Sequence, residues 1–132
     1  MKIVECHKGY GESINFIDEH DVFVGYDLYQ DCCEHASWYI DCAREFDYDW
    51  MGTPKEGVTD GIRIDGYVFD TSFLGGVPED DDRLDAGQYV TFKLHCSGKP
   101  DIYLFLFNSH NGWYGHGFKY GIGSETLIDL GL

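Results

Sequence analysis

The chain has 132 residues, 43% of them hydrophobic and 17% aromatic, with ten Tyr, nine Phe and three Trp. That is too much apolar mass for a disordered chain, and a chain of this length builds one core, so a single domain over residues 1–132 is expected. Acidic side chains number 24 against 9 basic, a net charge of -15, and such a field repels phosphate backbones and anionic membrane surfaces while drawing basic partners inward. Direct nucleic-acid or membrane binding is therefore not expected. Solubility alone and a working acidic face both remain open as reasons for the charge.

The first residues, Met1-Lys2-Ile3-Val4-Glu5, lack a basic start followed by an apolar run, and no stretch reaches the length of a membrane span. A cytoplasmic location is expected. Five cysteines, an odd number that includes the adjacent pair Cys32-Cys33, do not form a secreted disulfide framework and point to free thiols in a reducing compartment.

In chain order the hydrophobic period is mostly two. Residues 2–7 alternate, residues 13–18 and 21–26 are short apolar runs parted by the turn at Glu19-His20, and residues 61–69 alternate through Ile62, Ile64, Tyr67 and Phe69. Residues 33–46 hold the one segment with helical spacing, at Ala36, Tyr39 or Ile40, and Ala43. The run "ASWYID" is equally β-rich, and strand is preferred for its first half. Residues 74–86 ("LGGVPEDDDRLDA") read as a Gly/Pro/Asp loop, with Asp80, Asp81 and Asp82 as a solvated tip. Strands follow at 88–96, 101–108 and 113–122. The spacing thus predicts a mainly β domain, α+β at most, with an antiparallel sheet of about seven strands and no more than one or two short helices.

The stretch "LFNSHNGWYGHGF", residues 106–118, carries Asn111-Gly112 between two aromatic arms. Asn-Gly favours a type I′ hairpin because both central residues need positive φ. A two-residue turn there would pair His110 with Trp113, Phe107 with His116 and Phe105 with Phe118. Side chains alternate faces along a strand, so Tyr103, Phe105, Phe107, Tyr114, His116, Phe118 and Tyr120 would share one face. Ile102, Leu104, Leu106, His110 and Trp113 would share the other. The two histidines then diverge, which argues against a shared metal. Gly115 and Gly117 on one face mark either a bulge or a place where something approaches.

In "YQDCCEH", residues 29–35, adjacent cysteines lack the spacer that lets two thiolates reach one zinc ion, and no second cysteine pair follows. Asp31 and Glu34 would raise a neighbouring thiol's pKa and blunt a nucleophile. Cys6-His7 and His95-Cys96 sit on strands where neighbours face opposite ways. Phosphate loops, nucleophile elbows, H-E-x-x-H helices and EF-hand ligand series are absent from the sequence. No cofactor, metal or catalytic residue is expected, and a binding protein is preferred to an enzyme.

The succession "QDCCE" (residues 30–34), "GIRIDGYVFDTSF", "YVTFKL" and an apolar strand ending in "SHNGWYGHGF" resembles a family of small uncharacterised phage and prophage proteins. That family carries H-x-Q-D-C-C-E early and N-G-Y-Y-S late, in the same order and at similar spacing. The resemblance spans roughly residues 13–120. Leu28 stands where the family pattern has His, and "NGWYGHG" where it has N-G-Y-Y-S. The resemblance implies a phage or mobile-element origin and a host-cytoplasmic setting, with no activity attached. It carries over Asp31, Cys32, Cys33, Glu34, Asn111, Gly112 and Tyr114, and it is compatible with the Cys-Cys segment packing near Asn111-Gly112.

The functional expectation is a non-enzymatic binding or inhibitory module for a basic host or competitor protein. Its candidate residues are Asp31, Cys32, Cys33, Glu34, Asn111, Trp113, Tyr114 and His116, with Asp80, Asp81 and Asp82 for the acidic face. The alternatives are a small-molecule or nucleotide-binding protein with a pocket between Cys32-Cys33 and the 113–118 strand, and a virion or assembly component that self-associates.

Overall fold

The computed structural model describes residues 1–8, 11–29, 34–48, 55–73, 75–110, 112 and 115–132. Eleven strands and a single 3-10 turn are found among them. The strands are β1 (Lys2–Lys8), β2 (Gly11–Ile17), β3 (Val22–Asp27), β4 (His35–Asp41), β5 (Gly57–Val58), β6 (Val68–Phe69), β7 (Glu79–Asp80), β8 (Gln88–His95), β9 (Ile102–Ser109), β10 (Gly117–Ile122) and β11 (Glu125–Gly131). The 3-10 turn is Asp82–Leu84. One sheet runs β1-β2-β3-β10-β11; the other runs β5-β4-β9-β8-β6, with β7 also paired to β8. Pairing is antiparallel except between β4 and β5. The protein is mainly β, as the alternation in its sequence predicts.

The two sheets face each other across the larger core. Ile14 and Phe16 of β2, Val22, Val24 and Tyr26 of β3 and Phe118 of β10 meet Ala36 and Ile40 of β4, Val90, Phe92 and Leu94 of β8, and Ile102, Leu104 and Leu106 of β9. Edge-to-face pairs cross the gap, Phe16 on Trp38 at 4.9 Å and Phe92 on Phe118 at 6.2 Å. Burying each such side chain contributes about 1.5–3 kcal/mol. The odd-numbered residues of β9 serve a second, smaller aromatic core on the far side of their sheet. There Phe105 and Phe107 pack with Tyr39, Phe46 and Leu84. β9 is therefore buried on both faces, which explains the unbroken apolar run "IYLFLF".

The hairpin β2–β3 closes around Asp18, whose Oδ1 accepts from the backbone N–H of His20 (2.8 Å) and Val22 (3.0 Å). Its Oδ2 accepts from Phe69 N–H at 2.8 Å, tying this hairpin to β6 of the other sheet. A Cβ at Gly87 would overlap the carbonyl oxygen of Asn108, so the entry to β8 requires glycine.

Several sequence expectations are corrected. The predicted pairing of β9 with β10 does not form: β9 pairs with β4 and β8, whereas β10 pairs with β3 and β11, so the chain passes from one sheet to the other between Ser109 and Gly117. Phe107 stands opposite Ser37 and Tyr89, Phe105 opposite Tyr39 and Thr91, and Phe118 opposite Tyr26 and Leu130. The predicted face shared by Phe105, Phe107 and Phe118 does not form, because these residues belong to different sheets. Asn111, Trp113 and Tyr114 lie outside the described residues. The predicted strand 113–122 begins at Gly117, and the strand at 61–69 is reduced to Val68–Phe69, its first part being turns with positive φ at Gly61 and Gly66. The loop 74–86 contains β7 and the 3-10 turn. Eleven strands replace about seven because β5, β6 and β7 span only two residues each, too short to produce a period, and because β11 was not read from the sequence.

Candidate functional site

Strand β10 begins where the crossover from β9 arrives, and the residue just before it, His116, is buried. Its Nδ1 lies 2.8 Å from the backbone oxygen of Asp27, 89 positions away in sequence. A carbonyl only accepts, so Nδ1 carries the hydrogen. Nε2 then lies 2.9 Å from Oε2 of Glu34, and neither side chain is more than 4% exposed. That contact is attractive with a proton on the imidazole or on the carboxyl. Backbone bonds fix the ring's position, since His116 N–H donates to Leu132 O and Leu132 N–H to His116 O.

Tyr26 packs edge-on against the imidazole at 6.3 Å and donates its hydroxyl to Phe107 O at 2.8 Å. Burial, with the nearby charges of Asp27 and Glu34, pushes this phenol well above its usual range. Asn108 donates from Nδ2 to Leu132 O at 3.2 Å. The structure thus brings Glu34 and His116 together, from the two motifs that the sequence singled out. Asp31, Cys32 and Cys33 lie outside the described residues. His110 is engaged separately, its Nδ1 accepting from Gly112 N–H at 2.9 Å.

The Asp80–Asp82 segment is less uniform than a solvated tip. Asp81 caps the 3-10 turn, accepting Arg83 N–H at 2.9 Å, and pairs with the Arg83 guanidinium at 2.7 Å. The Arg83 bond holds the Asp81 carboxyl below the usual carboxylate range. Asp80 and Asp82 are exposed, as are Glu79 and Asp85 beside them. Asp80 accepts from Gln88 Nε2 at 3.0 Å. The outward acidic strip is accordingly Glu79, Asp80, Asp82 and Asp85.

Of the two readings left open for Gly115 and Gly117, a bulge or an approaching group, the second is not required by the structure. A Cβ on Gly115 or Gly117 would meet only Leu132 O or Leu130 O, at 3.5 and 3.9 Å. Gly117 does border a shallow trough of about 470 Å³ on the outer face of the β1–β11 sheet, with Ser13, Asn15, Gly25, Lys119 and Asp129.

A cleft that the sequence reading missed opens where β1 and β2 face β4 and β5. It holds about 410 Å³ and is lined by Trp38, Leu28, Glu5, Glu12, Glu56 and His7, among others. Register explains its charge: Ile3 stands opposite Phe16, Glu5 opposite Ile14 and His7 opposite Glu12, so the inward phase of β1 carries Glu5 and His7. Charges in that phase were the available signal. That Trp38 stands across from them follows only from the topology. Cys6 takes the opposite phase and lines the outer trough, which is the divergence expected for Cys6-His7.

No protein-family model, no curated protein and no solved structure matches the chain. The class that the coordinates define is a two-sheet, mainly antiparallel β-sandwich with a buried Glu34–His116 contact at one crossover and an acidic lateral cleft.

Proposed function

We propose that the protein is a non-enzymatic binding module that occupies a basic surface on another protein. The observation that carries this reading is the placement of counter-charge. On the outer side of the β5–β6 sheet three cations are already paired: Lys55 lies 3.0 Å from Asp41 and 3.5 Å from Asp47, Arg83 pairs with Asp81, and Lys93 sits 3.5 Å from Asp70 and 3.4 Å from Asp101. Among the described side chains, of which Lys8 is not one, no Lys or Arg comes within 4.0 Å of Glu79, Asp80, Asp82 or Asp85, nor of Glu5, Glu12 or Glu56. Carboxylates arranged this way speed encounter with a positive surface and select against negative ones. The resemblance to phage and prophage proteins supports a mobile-element origin, with a host or competitor protein in the host cytoplasm as the target.

Affinity capture at about 50 mM and about 500 mM salt tests the reading, because exposed charges are screened beyond roughly 8–10 Å near physiological ionic strength. Recovered partners should be basic and released by salt, and joint Asp80→Lys and Asp82→Lys substitution should weaken capture. Neutral partners retained at high salt would overturn it.

A further inference from the structure

We infer that the lateral cleft is the recognition point of this module and that it takes an arginine side chain presented by the partner protein. The inference rests on the binding-module reading and adds the chemistry of the contact.

Three features of the cleft select a guanidinium. Its floor is apolar and aromatic: Trp38 is only partly buried, held edge-on against Phe16 at 4.9 Å, with Leu28 beside it. An indole is the strongest aromatic partner for a cation, and arginine stacks on it through a planar face that lysine lacks. The rim is anionic on both sheets, with Glu5 and Glu12 from β1 and β2 and Glu56 from the residue before β5. Their side chains are 57%, 53% and 52% exposed, so the carboxylates stay hydrated and available while the stem of an incoming side chain covers the floor.

Among the described side chains, the rim also lacks a fixed counter-cation. Among the described residues its carboxylates have only imidazoles nearby, His7 at 3.8 Å from Glu5 and 3.7 Å from Glu12, and His35 at 3.1 Å from Glu56. Elsewhere on the molecule Asp41, Asp70, Asp81 and Asp101 each have a Lys or Arg. A guanidinium with five N–H donors in a rigid fork can reach two of the three rim carboxylates while stacking on the indole, whereas an ammonium is a point charge with no planar face. The cleft's volume of about 410 Å³ accommodates one such side chain with the backbone of the segment that carries it.

The test titrates blocked tetra-arginine, tetra-lysine and tetra-glutamate peptides into the isotope-labelled full chain at about 50 mM salt, read by the indole N–H resonance of Trp38. That resonance is assigned by its loss in Trp38→Phe, which keeps an aromatic ring against Phe16. Tetra-arginine should shift the signal saturably and several-fold more tightly than tetra-lysine, and tetra-glutamate should leave it unmoved. The double variant Glu12→Gln/Glu56→Gln should weaken tetra-arginine binding at least about fivefold, while Asp65→Asn/Glu125→Gln, at exposed carboxylates outside both the cleft and the acidic strip, should leave it within about twofold. Shifts centred on residues 79–85 with Trp38 unmoved would overturn the cleft and keep the binding-module reading. No peptide response, alongside salt-sensitive capture of a basic partner, would do the same. No peptide response together with salt-insensitive capture of neutral partners would remove both.

Discussion

Replacing Asp18 by alanine removes one side chain and three hydrogen bonds at the point where the β2–β3 hairpin meets β6. The carboxylate is 5% exposed and accepts from His20, Val22 and Phe69 N–H at 2.8, 3.0 and 2.8 Å. The Val22 and Phe69 bonds are buried, so in the alanine variant those two donors have no route to water without local opening. An unsatisfied buried donor costs about 1–3 kcal/mol, and the partly exposed His20 N–H adds less. The expected loss is about 4 kcal/mol, a large part of the ~5–15 kcal/mol typical of a domain. At this size it lowers Tm by roughly 10–20 °C. Asp18→Asn keeps one acceptor oxygen but turns an NH₂ toward either Phe69 or the hairpin, so about half the loss is expected. Urea unfolding followed by tryptophan fluorescence, with m held as a check on cooperativity, measures both. An alanine variant within about 1 kcal/mol of the parent, or an asparagine variant less stable than alanine, would refute the reasoning.

Three other perturbations have defined outcomes. The Ser72 hydroxyl holds the Asp70 carboxyl below the usual range, and Arg83 does the same for Asp81; with folded pKa values depressed, their stabilisation is full above about pH 4 and is lost as pH falls below it. The urea midpoint should therefore drop between about pH 4 and pH 2, with a smaller drop in Asp81→Asn. Burial raises the Tyr26 phenol, and burial likewise pushes Tyr89 up to about 12. The folded state keeps protons that the unfolded chain releases near pH 10, so stability should fall above that pH and tyrosinate absorbance should rise in a step that coincides with unfolding. Gly87→Ala should cost several kcal/mol or prevent folding, because its Cβ meets the Asn108 carbonyl, whereas Gly117→Ala should stay within about 1 kcal/mol; parallel thermal melts compare them.

Strands with one wet face declared themselves in the sequence. In β2, Ile14 and Phe16 face the core while Ser13 and Asn15 face outward, and the period of two is clean. β9 declared its two buried faces through an unbroken apolar run. Pairing was not legible in the same way. Asn-Gly carries a local preference for a hairpin, but the neighbours that β10 satisfies are β3 and β11, and its fit against Tyr26 and Val24 outweighs that preference. The order Glu19-His20 gave the β2–β3 turn correctly because there the connection is local. At the site, the resemblance allowed the two motifs to pack near one another, and the fold specifies the contact, Glu34 within 2.9 Å of His116. Trp38 was not singled out within "ASWYID", because nothing in that run records which strand will lie across from it.

The pairing of β3 with β10 has a consequence during synthesis. Residues 22–27 must wait for residues 117–122 before their sheet is complete. At about 5–20 residues per second the wait is roughly 5–20 s. Through that interval the β1–β3 meander presents Ile14, Phe16, Val24 and Tyr26 on one face and an unpaired β3 edge, the kind of surface that recruits neighbouring nascent chains. Glu5, Glu12, Asp18, Glu19, Asp21 and Asp27 outnumber Lys2 and Lys8 in the same stretch. Like-charge repulsion between emerging copies thus guards the open edge until β10 arrives.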